Sequence, residues 1–226
     1  MKVLNLYACL GGNRYKWDEV AEIQVTAVEL DPEAARLYKE RFPNDTVIVA
    51  DAHQYLLDHF KEFDFIWSSP PCPSHSRFNF SMKTNKVWKM KYPDMKLYEE
   101  IIFLQNWFEG KFCVENVIPY YEPLIKAQER GRHLYWTNFI LPNNINKRKN
   151  PDLSRGKSKD IVDRLSIYHD YDFRKYKGKQ DIRKMARNLV DYEAGKTILE
   201  TALGIIQKSN INQTSIFDYE DNEEMF

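Results

Sequence analysis

Two residue types able to do covalent chemistry stand at informative places in this chain. Cys72 follows a proline pair in Ser69-Pro70-Pro71-Cys72, immediately past the apolar run FDFIW at 63–67. Prolines restrict the backbone and remove amide donors, so they can hold the next residue in a fixed, exposed pose. A thiolate is a strong carbon nucleophile whose reactivity depends on its surroundings. Inert packing is the plainer reading of a cysteine, and it suits Cys113, inside an apolar run, better than Cys72. Glu115 lies next to Asn116 between two valines in CVENV, an unusual place for an acid. If neighbouring parallel strands end together, Glu115 faces Cys72 across a crevice. Desolvation would then raise its pKa and let it share or donate a proton at neutral pH. The alternative is a structural acid bonded to loop amides.

A second group of residues suits a nucleoside. NLYACLGGNR (5–14) carries Gly11 and Gly12 where a strand turns, permitting a close approach of backbone to ligand. Glu29 ends the next apolar run and is followed by Asp31, and Asp51 follows TVIVA (46–50). In an open parallel sheet, ligands bind beyond the carboxyl ends of the strands, where a carboxylate can accept both hydroxyls of a ribose. Each acid on its own is equally suited to cap a helix. The full G-x-G-x-x-G is absent, as is G-x-x-x-x-G-K-[ST], which argues against a nucleotide triphosphatase.

The elements that must position these residues alternate. Strands are expected at KVLNLYA (2–8), IQVTAVEL (23–30), TVIVA, FDFIW, KFCVENV and HLYWTNFIL (133–141). Helices are expected at PEAARLYKERF, around QYLLDHF, and at LYEEIIFLQNWF (97–108). This is an α/β pattern: a mainly parallel open sheet with helices on both faces. After Pro142 the composition turns to NNINKRKNPDLSRGKSKD, an exposed, partly flexible insertion, before IRKMARNLVDYEAGKTILETALGII resumes a helical pattern. The expected organisation is an α/β unit at 1–141, an insertion at 142–181, a returning helical segment at 182–212, and an acidic tail at 213–226.

Composition narrows the class. Apolar residues make up 43% of the 226 and aromatics 14%, enough for a sizeable core. The three cysteines form no close pair, which reads as a reducing, cytoplasmic compartment, and no long apolar run suggests a membrane span. Net charge is zero, yet residues 73–96 hold six Lys/Arg against one Asp, and 147–187 hold fourteen against six. Residues 215–226 carry five acids and no base. Two basic zones balanced by acid elsewhere can focus a field on one face.

Taken in order, these motifs resemble the DNA cytosine-5 methyltransferase family. NLYACLGGNR is similar to its D-L-F-A-G-x-G-G segment, SPPCPSHS to P-P-C-Q-x-F-S, and ENV is the family's own triplet. QERGR (128–132) is similar to Q-x-R-x-R, and ARNLVDYEAG to the late G-N-x-V segment. The resemblance implies a Rossmann-like methyltransferase fold, S-adenosyl-L-methionine as cofactor, no metal, and double-stranded DNA as partner. It implies Cys72 as nucleophile on a flipped cytosine, Glu115 on ring nitrogen 3, and Arg130 and Arg132 orienting the target. Leu6, Tyr7, Gly11, Gly12, Glu29, Leu30, Asp51, Ala52, Pro70 and Asn188 would border the cofactor. Departures stand at Asn5, Cys9, Pro73, His75 and Arg187.

The loop after Cys72 supplies Ser76, Arg77, Lys83, Lys86 and Lys89 as candidate nucleic-acid contacts, interleaved with Phe78, Phe80 and Trp88. The insertion supplies Lys147, Arg148, Lys149, Arg155 and Lys157. Charge of this kind contacts phosphates and carries no base code. The insertion is small for a recognition region, which implies a short target, low selectivity, or a specificity subunit or second protomer, in a phage or restriction-modification setting on nucleoid or phage DNA. The competing expectations are an RNA cytosine-5 methyltransferase and a non-catalytic nucleic-acid or partner-binding module derived from such an enzyme.

Overall fold

The computed structural model describes residues 1–82, 89, 91–145, 148, 151 and 158–205. Its strands are β1 (Lys2–Leu6), β2 (Gln24–Glu29), β3 (Thr46–Val49), β4 (Phe65–Ser68), β5 (Lys111–Val117), β6 (Gln128–Arg130) and β7 (His133–Thr137). They form one sheet in the order β3-β2-β1-β4-β5-β7-β6. The first five are parallel, and β7 and β6 extend the sheet antiparallel. The chain moves outward from β1 to β3 and then returns to β4, so the order reverses between β1 and β4. Loops diverge at such a reversal and leave a crevice at the carboxyl edge.

Register brings the strand ends level. Leu6 pairs with both Val28 and Ser68, and Ser68 pairs with Val114. Tyr7, Glu29, Ser69 and Glu115 therefore lie level at one edge of the sheet, Glu115 still within β5 and paired with Tyr135.

Both faces of the sheet are covered, as the near-continuous apolar strands require. On one face, α2 (Ala52–His59) and α4 (Lys96–Trp107) pack Leu56, Ile101 and Leu104 against Leu4, Ile66, Phe112 and Val114. On the other, α7 (Tyr192–Ala202) packs Ile198 and Leu199 with Trp17 against Val3, Phe65 and Trp67. Beside it, α1 (Pro32–Arg41) sets Tyr38 on Ala27. Pro32 opens α1 directly after its cap, Asp31, where the fixed proline φ suits the first helical position. Among the described residues no helix is long and apolar enough to cross a membrane.

Several elements differ from the sequence expectation. β6 is an additional three-residue strand. The returning segment is two helices, α6 (Ile182–Asn188) and α7, because the backbone turns extended at Leu189 and Asp191 caps a new helix through the amides of Glu193 and Ala194. The insertion contributes α5 (Ser158–His169), with Leu165, Phe173 and Tyr176 buried against Leu10, Ala34, Leu37 and Met185. The charged run at 143–160 obscured the apolar residues behind it. A short helix, α3 (Arg77–Ser81), follows the Cys72 loop. The stretch 213–226 lies outside the described residues, as do Lys83, Lys86, Trp88, Lys147, Lys149, Arg155 and Lys157.

The returning chain is docked by close backbone approach. A Cβ at Gly12 would lie 2.3 Å from the Val190 carbonyl oxygen, and one at Gly195 would lie 2.2 Å from that of Asn13. The Trp17 indole also donates to the Gly195 carbonyl at 3.1 Å. Gly195→Ala is expected to lower stability by about 1–2 kcal/mol. Alanine gains roughly 1 kcal/mol of helix propensity, but a Cβ 2.2 Å from backbone puts overpacking at the upper part of its usual range, about 2–3 kcal/mol. Urea unfolding measures the difference, and a variant as stable as the parent would show that α7 has room to move.

Candidate active site

The carboxyl edge opens into a cleft of about 590 Å³. Tyr7, Cys9, Gly12, Glu29, Leu30, Asp31, Asp51 and Ala52 line one end, and Pro70, Cys72, Glu115, Asn116 and His133 line the other. Lys184, Arg187 and Asn188, from α6, and Gln180 before it also line the cleft.

The loop carrying the thiol is tied to the chain beyond β5. The Asn116 amide donates to the Pro70 carbonyl at 2.9 Å, and the Tyr120 amide to the His75 carbonyl at 3.1 Å. Ser76 bridges to Pro119, and the His75 Nδ1 bonds the Tyr121 hydroxyl. His75 is fully enclosed, and burial depresses its pKa, so it packs here as a neutral ring. These ties place Cys72 and Glu115 in one space. The thiol is pushed up to about 11, first by burial and then by the Glu115 charge, with Lys184 pulling it down. It is therefore a thiol, not a thiolate, at neutral pH.

His133, at the start of β7, sets Nε2 3.6 Å from Glu115 Oε1 and is part-exposed. Its register partner Val117 lies just beyond Glu115. Sequence reasoning missed it; the only available signal is its position directly after QERGR.

At the other end Glu29 is held by backbone. Its Oε2 accepts from the Cys9 amide and its Oε1 from the Asp31 amide, both at 2.8 Å, and burial raises its pKa against those bonds. Asp51 and Asp31 both cap helices, α2 and α1, and still line the cleft, so both readings of these acids hold together. Asp31 is also claimed by the chain before α6: the Tyr176 hydroxyl donates to it at 2.5 Å and the Gln180 amide at 2.8 Å. The segment that follows α5 thus closes this end of the cleft, a long-range arrangement with no local signature.

The departures at Asn5 and Cys9 have visible consequences. Asn5 is buried and pairs with Asn13, whose amide donates to it at 2.8 Å. A neutral amide pair closes the turn there. Tyr7 and Cys9 hold φ of 55° and 47°, the left-handed region that a non-glycine residue enters at a cost of about 1–2 kcal/mol. Cys9 is pushed up to about 12, mainly by burial, and is inert as a nucleophile at neutral pH.

Some expected residues lie elsewhere. Leu6 is wholly buried behind the cleft. Gly11 faces α1, where an added Cβ would lie 2.3 Å from the Phe42 ring. Arg130 spends its guanidinium on the carbonyls of Pro142, Leu141 and Glu129 at 2.6, 2.7 and 2.8 Å. β7 also stands between it and β5. Arg132 is exposed in the β6–β7 turn and does not line the cleft. Ser76 caps α3, Arg77 opens it and is exposed, and Lys89 is exposed. Arg148 is internal: it pairs with Asp191, donates to the Tyr168 carbonyl, and lies 3.7 Å over the Tyr192 ring. Among the described residues no group of His, Cys, Asp and Glu is arranged to hold a metal ion.

A family model described as C-5 cytosine-specific DNA methylase matches residues 1–117. No curated protein matches the chain. Among solved structures, EhMeth of Entamoeba histolytica is similar at TM-score 0.51 and 10% identity, covering 92% of this chain and 99% of its own. A mutant DNMT2 of Spodoptera frugiperda aligns at TM-score 0.43 and 20% identity over 66% of this chain. A putative DNA modification methyltransferase encoded within an E. coli prophage aligns at TM-score 0.38 and 21% identity over 54%. The chain spans 53% of the Spodoptera protein and 34% of the prophage-encoded one. At these identities the likeness is one of fold.

Alkylation of Cys72 by iodoacetamide is expected to keep accelerating with pH until it nears about 11. Glu115→Gln should move that midpoint down by removing the adjacent charge. Peptide mass spectrometry reads both, and a parent midpoint at the ordinary thiol value would refute the enclosed, acid-flanked setting.

Proposed function

The chain belongs to the C-5 cytosine-specific DNA methylase family, and on that premise we propose that it transfers a methyl group from S-adenosylmethionine to carbon 5 of a cytosine in nucleic acid through a covalent bond to Cys72. The observation that carries this reading is the shared cleft: the thiol after the proline pair, the acid of the ENV triplet and the strand-end carboxylates all line it.

The cleft residues fit the cofactor. Glu29, its oxygens oriented by backbone amides, is placed to accept a ribose diol, with Leu30 and Ala52 as apolar walls and Tyr7 and Asn188 beside them. Acids outnumber bases among the lining side chains, with Glu29, Asp31, Asp51, Asp94 and Glu115 against Lys96, Lys184 and Arg187. That balance favours a cationic ligand. When bound, S-adenosylmethionine supplies an electrophilic methyl on a sulfonium.

Cytosine carbon 5 is a poor nucleophile while the ring is aromatic. Addition of the Cys72 sulfur to carbon 6 removes that aromaticity, with Glu115 protonated and donating to ring nitrogen 3. The two protonation demands are complementary: attack needs the thiol proton gone, and Glu115 needs one gained. Moving one proton from sulfur to carboxylate, directly or through water, satisfies both and removes the charge that holds the thiol pKa up. Carbon 5 takes up the methyl group as the sulfonium departs as a neutral thioether. The carbon-5 proton then passes to water, and the sulfur–carbon bond breaks with its electron pair returning to sulfur, which restores Cys72. His133, beside Glu115, is placed to exchange its proton with solvent. The ring must be reachable above its plane, so the base is flipped from any stack at a cost of a few kcal/mol. Arg77 and Lys89, both exposed, are candidate phosphate contacts.

The family's description supports DNA as the polynucleotide. A second reading, RNA, is supported by the position of the described part of the insertion. α5 and the turn after it pack on α1 and α6, at the nucleoside end of the cleft. They are not a separate element facing Cys72 from which a long duplex sequence would be read.

Labelled S-adenosylmethionine with matched DNA and RNA separates the readings; label on RNA alone would end the DNA assignment. Cys72→Ser is expected to abolish turnover and the adduct with 5-fluorocytosine-containing substrate while cofactor binding persists. Glu115→Gln should slow transfer by about 10²-fold or more. A parent chain that binds cofactor yet forms no adduct on either polynucleotide would point to a non-catalytic binding module.

A further inference from the structure

Beneath the cofactor end of the cleft lies a carboxylate that the chemistry above does not use. Glu100, on α4, has no exposed surface, although the rest of that helix face is Leu97, Ile101 and Leu104. Burying a charge among apolar side chains is costly unless it is fully bonded. Glu100 is bonded from three elements. The Tyr7 hydroxyl donates to Oε1 at 2.5 Å, the Ser68 hydroxyl donates to Oε2 at 2.6 Å, and His53 Nδ1 lies 3.1 Å from Oε1.

Each partner adjoins residues that line the cleft. Tyr7 lines it directly, just past the end of β1. Ser68 ends β4, and Ser69 and Pro70 follow into the lining. His53 is the second residue of α2, beside Asp51 and Ala52. One carboxylate therefore joins both strands flanking the sheet reversal to the helix opposite. Its bond to Tyr7 also holds a residue in the left-handed region, at φ 55°. A core built for stability alone has no need of this group, since well-packed apolar residues commonly serve as well as or better than buried charges.

We propose that Glu100 is a positioning residue for the cofactor: through Tyr7, Ser68 and His53 it fixes the carboxyl ends of β1 and β4 and the first turn of α2 around the space where the cofactor sits. The proposal rests on the reading of this cleft as an S-adenosylmethionine site. It places the effect of Glu100 on cofactor binding and not on the methyl-transfer step, because Cys72 and Glu115 are held by the separate ties of the 70–76 loop to Asn116, Tyr120 and Tyr121.

Titration calorimetry of the full chain with S-adenosylhomocysteine tests it, alongside KM and kcat with S-adenosylmethionine. In Glu100→Gln a single amide oxygen must replace two acceptors, and affinity is expected to fall about tenfold, with KM rising in step. The kcat at saturating cofactor should stay within about twofold, and the KM for nucleic acid should be unchanged. Tyr7→Phe removes one hydroxyl and little volume, and should lower affinity in the same direction even if the Glu100 variant fails to fold. A Glu100→Gln chain of lower Tm but parental affinity, or a Tyr7→Phe chain that binds like the parent, would overturn the proposal. A parent chain that binds neither ligand would overturn the cofactor reading itself, and the proposal with it.

Discussion

A thiol and a carboxylate share one cleft, and burial together with the charge of the acid opposes ionisation of the thiol. Burial and the Glu115 charge together hold Cys72 in its neutral form. Electrostatics therefore does not bring these groups together; the backbone does. Asn116 grips the Pro70 carbonyl, and the chain at Ser76 bridges the chain at Pro119. The proline pair has little freedom to relax the loop away from the acid. A thiol whose ionisation is opposed by the acid beside it suits chemistry in which one proton passes between the two groups.

The same economy appears at the other end of the cleft. Glu29, Asp31 and Asp51 each use part of their bonding capacity to hold backbone or caps, and each still borders the ligand space. Glu100 spends all of its capacity below the floor. The acids that line this end are thus pre-oriented by backbone amides and neighbouring side chains. Pre-orientation lowers the ordering cost of binding.

Docking of the returning chain completes the enclosure. The glycine turn admits backbone at Val190, and Gly195 admits the carbonyl of Asn13. α6 then lays Lys184 and Asn188 along the cleft. The insertion joins in this: Leu165, Phe173 and Tyr176 bury themselves on α1, and Tyr176 and Gln180 bind Asp31. A segment whose sequence reads as solvated and basic is, in its described part, packed on α1 and α6 and bonded to Asp31 at the edge of the cleft.

Local patterns were legible in the sequence because their causes are local. Apolar periodicity marks β1 to β5, the Pro32 helix and the amphipathic α4, and turn chemistry marks the glycine pair and the prolines before Cys72. Given parallel strands, those marks imply a cleft at the carboxyl edge with Cys72, Glu115, Glu29 and Asp51 around it, and the register bears that geometry out. Only the tertiary structure decided what each polar group touches. It turned the guanidinium of Arg130 onto carbonyls of residues 129, 141 and 142, set the half-buried Arg148 against two tyrosine rings, placed His133 beside Glu115, and sealed Glu100 under Tyr7. Those partners lie up to 93 positions apart along the chain. A residue type states what bonds it can make, whereas burial and long-range pairing choose which ones it does make.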